Sequence, residues 1–188
     1  MKSLLSALMI GLTASTATLA ADYTLDPFHT NARFSIDHFN TSSNVGGFYG
    51  LTGTVTADTQ KRTGKIDITI PVKNLQASSK EFTGHLLSKD LFNAEQFPEM
   101  RFVSTKFNYV GKKLKSVDGQ LTMLGKTAPV RLTATKFNCY DNPMHKKQVC
   151  GGDFTTKIDR TKWGMDFLVK AGMTKTVKID IQIEAIKN

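Results

Sequence analysis

Val177-Lys178-Ile179-Asp180-Ile181-Gln182-Ile183-Glu184-Ala185 alternates apolar and polar side chains without a break. In an extended chain successive side chains point to opposite faces, so this stretch has one dry face and one wet face. A helix would scatter the same residues around its axis. The stretch reads as a strand with a core on one side only. The same period returns upstream. Ile66, Ile68, Ile70 and Val72 alternate with Asp67, Thr69 and Pro71. Val117, Leu121 and Met123 share a face with Gly119 between them, and Val130, Leu132 and Ala134 oppose Arg131 and Thr133.

Turn residues part these runs. Thr63-Gly64, Gly111-Lys112-Lys113, Gly125-Lys126-Thr127 and Asp141-Asn142-Pro143 each stand between two strand-like stretches. The expected strands cover 31–39, 46–58, 65–72, 101–110, 114–124, 128–139, 149–159 and 175–186. Short connections favour up-and-down order, and closing the sheet removes its exposed edges. The fold class expected is all-β: an eight-stranded antiparallel up-and-down barrel, wide enough to hold one small ligand. One segment breaks the period. Ser78 with Glu81 resembles a capping box, and Phe82, His85 and Leu86 fall on one helical face. A short helical insertion is expected there, at the barrel mouth, as a plug or lid.

The N-terminus reads as an export signal. Lys2 precedes an apolar run from Leu4 to Leu12, and Thr18-Leu19-Ala20 offers small residues for cleavage. The run is too short to span a bilayer. The expectation is a signal peptide over 1–20, one barrel domain over 21–188, and a periplasmic location. The two cysteines, Cys139 and Cys150, suit an oxidising space and are read as one disulfide, worth about 3 kcal/mol for so short a loop. A zinc site would need further ligands at metal spacing. The four histidines, His29, His38, His85 and His145, are scattered, so neither a metal site nor a resident cofactor is expected.

An ordered series of short motifs then resembles one family. It opens with Asp26-Pro27-Phe28-His29-Thr30, with Phe34 and His38 after it, and continues with Gly47-x-x-Gly50. His85-Leu86 before Asp90-Leu91-Phe92, and Phe97-Pro98 before Phe102, come next. Leu121-Thr122-x-x-Gly125-Lys126-Thr127-x-Pro129-Val130 and Arg160-x-x-Trp163-Gly164 complete it. The series resembles the YceI-like family of polyisoprenoid-binding, lipocalin-like proteins. Phe82 and Thr83 depart from it, standing where the family often carries Arg-Asp. The resemblance implies a lipocalin-like barrel around a long apolar tunnel. The ligand it implies is a polyprenyl chain or an isoprenoid quinone such as ubiquinone, held for transport or storage. It also leaves a homodimer open.

Inward positions on the strands and the insertion supply the candidate wall: Phe34, Ile36, Phe48, Phe92, Phe97, Met123, Met165 and Phe167. His38 shares the face of Phe34 and Ile36 and is a candidate hydrogen-bond donor to a polar head. His85 joins them from the helical insertion. The chain carries 12 Phe and 7 Met, adaptable material for the wall of a chain-shaped ligand. No Gly-x-Ser-x-Gly, His-Glu-x-x-His or phosphate-binding glycine loop is present, so enzyme activity is not expected. The net charge of +9 gathers at loops, with Lys112, Lys113 and Lys115, then Lys146 and Lys147. Without interleaved aromatics this is not a nucleic-acid site. It suits an anionic membrane surface, at about 1 kcal/mol per basic residue, or a merely solvated face. Two other functions stay open. One is a fully packed basic barrel acting as a surface or stress protein that binds a protein partner; the other is an enzyme acting on a lipid headgroup.

Overall fold

The computed structural model describes residues 20–58 and 60–188. The expected signal peptide therefore lies, but for Ala20, outside the described residues. Eleven strands are present among the described residues: β1 Ala21–Leu25, β2 Asn31–His38, β3 Ser42–Tyr49, β4 Thr52–Asp58, β5 Thr63–Pro71 and β6 Leu75–Ala77. They continue as β7 Glu99–Val110, β8 Lys113–Met123, β9 Lys126–Asn142, β10 Lys147–Asp159 and β11 Thr176–Lys187. One α-helix, α1, spans Lys80–Leu87 between β6 and β7.

The pairing reduces these eleven to a simple meander. β1 and β2 both lie antiparallel to β11, Leu25 opposite Ala185 and Asn31 opposite Gln182. They also share their other neighbour in sequence, β2 pairing with β3 and β1 with β4. β5 pairs with β4, and β6 with β3. Each of these pairs is thus one long strand interrupted once: β1/β2, β3/β4 and β5/β6. With β7 to β11 they make the expected eight, and the β1–β11 pairing closes the ring. The alternation in β5, β8, β9 and β11 therefore reads correctly as a closed antiparallel barrel.

The first strand begins earlier than the sequence alone suggests because an interruption follows its opening segment, and the second begins at Ser42, four residues before the expected start. Five residues lie between Leu25 and Asn31 while only two lie between their partners on β11. The extra length forms a bulge that still satisfies the β11 backbone. Asp26 N–H donates to the Glu184 carbonyl at 2.9 Å. The Thr30 hydroxyl donates to that same carbonyl at 3.1 Å and accepts from Glu184 N–H at 3.3 Å. A side chain so replaces the missing ladder bonds, and Thr30 is 1% exposed. In the second strand the break falls at Gly50 and Gly53, at φ +64° and +146°. A Cβ on Gly53 would collide with the Asp67 carbonyl of the adjacent strand.

Two further differences are local. Phe39 lies at φ 56° in the β2–β3 turn rather than in the strand. The cap of α1 is Ser79, not Ser78: its hydroxyl accepts from Phe82 N–H at 3.1 Å, and Glu81 stands in the first turn. The expected disulfide is present. Cys139 and Cys150 face one another in the β9–β10 register, Cα atoms 4.0 Å apart, and are bonded.

Asp26 and His29 lock the bulge. The Asp26 carboxylate accepts from Phe28 N–H at 2.8 Å and lies 2.8 Å from His29 Nδ1. Burial works against ionising Asp26, but the His29 and Phe28 hydrogen bonds outweigh it and hold its carboxyl below the ordinary value. The hydrogen bond to Asp26, then its charge, raises His29. The His29 share of stability is thus complete below its unfolded value near 6.5 and fades as pH rises through the raised folded value. The Asp26 share is complete above its unfolded value near 3.8 and fades as pH falls through the lowered one. With the His29 ring 55% exposed, its effect stays below about 1 kcal/mol. His29→Ala should therefore flatten the decline of the melting midpoint between mildly acidic and mildly alkaline pH. An unchanged slope would show that the pair does not couple to folding.

Candidate ligand-binding site

The barrel interior is not filled. A cavity of about 300 Å³ runs along it, at the lower end of the range typical of ligand pockets. β11 shows how it is made. Val177, Ile179, Ile181 and Ile183 all point inward and line it, yet each remains partly accessible, whereas Ala185 beyond them is 3% exposed. The deep half, around Ile66, Val117, Leu132, Phe154 and Ile183, is hydrocarbon only. Tyr23, Leu25, Leu114 and Cys150 are buried below it and close that end.

Polar side chains join the wall towards the other end: His38, Asn44, His85, Thr156 and Arg160. There the cavity is covered by α1, by residues 91–92 and by the loop 164–175. Phe82, His85 and Leu86 of α1 line it, as Leu91 and Phe92 do just beyond. The Phe92 ring meets Phe48 edge-on at 5.3 Å, and Phe48 stands 6.1 Å from Phe34. Across the mouth, His85 meets Phe167 of the loop edge-on at 5.3 Å. This ring contact spans the two lips.

Nine of the ten candidate wall residues come together here: Phe34, Ile36, His38, Phe48, His85, Phe92, Met123, Met165 and Phe167. Phe97 does not. Its ring instead lies over Gly125 in the β8–β9 turn, 3.0 Å from where a Cβ would stand. Asn93 at φ 43° turns the chain between Phe92 and Phe97, and Phe97 N–H bonds back to the Asn93 carbonyl at 2.9 Å. An aromatic in an apolar insertion can serve either side of such a turn, and sequence spacing does not say which.

Arg160 is the residue that the alternation hides. It follows β10 directly as the first residue of the short 3-10 turn Arg160–Trp163, is 2% exposed and lines the cavity. Its guanidinium donates to three carbonyls of one loop: Thr174 at 3.2 Å, Met165 at 3.2 Å and Phe167 at 2.9 Å. Burial draws its pKa down, and the nearby Asp166 and Asp159 oppose that. Arginine stays charged nonetheless. A fixed cation therefore braces the loop whose Met165, Phe167, Leu168 and Met173 form one lip. Trp163, 1% exposed, pins the start of that loop by donating from Nε1 to the Leu121 carbonyl at 2.9 Å. The motif Arg160-x-x-Trp163-Gly164 was the available signal, and the structure gives it this bracing role.

Metal chemistry has a weak foothold. Asp26, His29 and Glu184 each bring one ligand atom within 4.8 Å of the others. The Asp26 oxygens, however, are already engaged in the bulge. On the cavity wall, among the described residues, there is no Ser, Cys, Asp or Glu. The arrangement can enclose an apolar body and meet one polar end at the mouth.

A YceI-like domain model matches residues 23–185. The chain belongs to the YceI-like family. A "UPF0312 protein" of Shewanella denitrificans is 31% identical over 196 residues, covering 100% of both chains. Among solved structures, the Campylobacter jejuni YceI protein superposes with a TM-score of 0.70 at 22% identity, covering 81% of this chain and 90% of that one. A polyisoprenoid binding domain from Saccharophagus degradans, implicated in plant cell wall breakdown, superposes with a TM-score of 0.61. Its identity is 12%, over 88% of this YceI-like chain and 98% of that domain. These structures share the barrel.

In this YceI-like barrel, Arg160→Met should cost at least about 3 kcal/mol, since three loop carbonyls lose charged donors. Hydrogen exchange should quicken across 164–175 before it changes in β8. Equal quickening throughout the barrel would deny Arg160 its local role.

Proposed function

We propose that this protein is an exported, periplasmic carrier or store for a long isoprenoid lipid, either a polyprenyl chain or an isoprenoid quinone such as ubiquinone. The observation that carries this reading is the graded cavity: hydrocarbon in its deep half, polar only towards the mouth. Such a site suits an amphipath with a long apolar tail and a small polar head. Each buried methylene contributes about 0.8 kcal/mol, so the tail dominates affinity. Ordering a flexible chain opposes this, and a preformed tunnel reduces that cost. The polyisoprenoid binding named for the Saccharophagus domain supports the same class of ligand. His38 and His85 stand where a carbonyl or hydroxyl head would sit.

The other readings fit less well. A barrel that binds only through its outside needs no interior space, and this one has it. An enzyme acting on a headgroup needs a nucleophile or an acid–base pair near the head. The wall offers two histidines and no carboxylate among the described residues.

Three comparisons test the proposal. An isoprenoid quinone should bind at least about a hundredfold more tightly than the same ring without its tail, given the methylene contribution. Equal binding would overturn the reading. Ile181→Trp, placed on the deep wall, should fill the void and abolish uptake while leaving the melting midpoint equal or higher. His38→Ala should weaken only ligands that carry a polar head.

A further inference from the structure

We propose that the closed end of the barrel, opposite the cavity mouth, is a docking face for an anionic lipid bilayer. The meander brings three turns to that end: those joining β4 to β5, β7 to β8 and β9 to β10, with the last residues of β11 beside them. None of their residues lines the cavity. Exposed cations crown this end: Arg62, Lys112, Lys113, Lys146, Lys147 and Lys187. The acids among them are few. Asp22 and Asp141 are exposed, while Asp58 is buried and accepts from the Gln60 and Lys61 amides with the Lys61 ammonium 3.6 Å away. The mouth end is different, because its charges interleave. Lys80 precedes Glu81, Lys89 precedes Asp90, and Lys175 lies 3.3 Å from Asp159. Positive charge is therefore polarised along the barrel axis.

Apolar tips stand among these cations. Val110, 66% exposed, precedes Gly111-Lys112-Lys113, and Met144, 88% exposed, precedes His145-Lys146-Lys147. Tyr140, 43% exposed, lies on the same hairpin. Apolar and aromatic tips beside lysines suit a membrane interface, where ammonium groups meet phosphates and the tips enter the headgroup layer. A strand of nucleic acid would instead want one continuous basic groove with stacking rings. Here the cations sit on separate turns around the end of a cylinder, which touch a flat surface together. The Cys139–Cys150 bond stiffens the longest of the three hairpins, so its tip is held without much loss of freedom on contact. The inference does not depend on what the cavity holds. It directs the mouth away from the bilayer, towards a soluble donor or acceptor of the ligand.

Vesicle sedimentation tests it. The purified protein should sediment with vesicles of equal parts phosphatidylcholine and phosphatidylglycerol, not with phosphatidylcholine alone, and added salt should release it. Combining Lys112→Glu, Lys113→Glu, Lys146→Glu and Lys147→Glu should lower binding at least about a hundredfold. Lys80→Glu with Lys89→Glu, at the mouth, should leave it within about twofold. Uptake of N-phenyl-1-naphthylamine into the cavity reports that each variant is folded, and glutamine replaces glutamate where it is not. An equal loss per reversed charge in both sets would mean attraction by net charge with no docking face. Equal binding to neutral vesicles would overturn the proposal as well. Single-stranded DNA that displaces the vesicles would reassign the face to a polyanion.

Discussion

A barrel that keeps an apolar space inside must be closed along every edge, and here closure rests on one seam. β11 has to pair with the first strand of the chain over its whole length, though that strand is broken in the middle. Asp26 and Thr30 bridge the break by bonding to the backbone of Glu184. Without them, the backbone groups of β11 at that point would face an unpaired gap beside the hydrophobic interior, at a cost typical of lost buried hydrogen bonds. The short motif from Asp26 to Thr30 is thus the part of the sequence that lets the ring shut. It is structural, and the ligand space exists because of it.

The mouth is built on a different device. Three carbonyls of the loop 164–175 share the guanidinium of Arg160 in place of regular secondary structure. A carboxylate partner would have neutralised the buried cation. Backbone carbonyls leave its charge in place while satisfying its geometry. The loop so gains a rigid base, and its apolar residues can stand as one lip of the cavity opposite α1. The lips touch through His85 and Phe167. A weak ring contact between two separately braced elements parts more readily than a packed core.

Much of this was legible in the sequence, and the exceptions have physical causes. Val177 to Ala185 announces a one-sided strand because its period has no interruption. The break at Asp26–Thr30 disturbs that period and hides β1, while the start of β3, Ser42-Ser43-Asn44-Val45, carries one apolar residue and no alternation to read. The wall residues followed from alternation wherever a strand was regular, as at Phe34, Ile36 and Met123. Phe97 misled because its direction depends on the Asn93 turn rather than on a repeat. Arg160 escaped notice as a cavity residue because its compensation comes from loop carbonyls, which leave no pattern of side chains to read.

The partly accessible isoleucines of β11 carry one further consequence, a calorimetric one. Ile179, Ile181 and Ile183 keep part of their surface accessible on the cavity wall of the folded protein. Unfolding the empty protein then exposes less new hydrocarbon than its inward-facing sequence implies, and the heat-capacity increment shrinks with it. The stability curve of the empty barrel is correspondingly flatter with temperature. Filling the cavity removes that surface from water, restores the increment and gives ligand uptake a negative heat-capacity change.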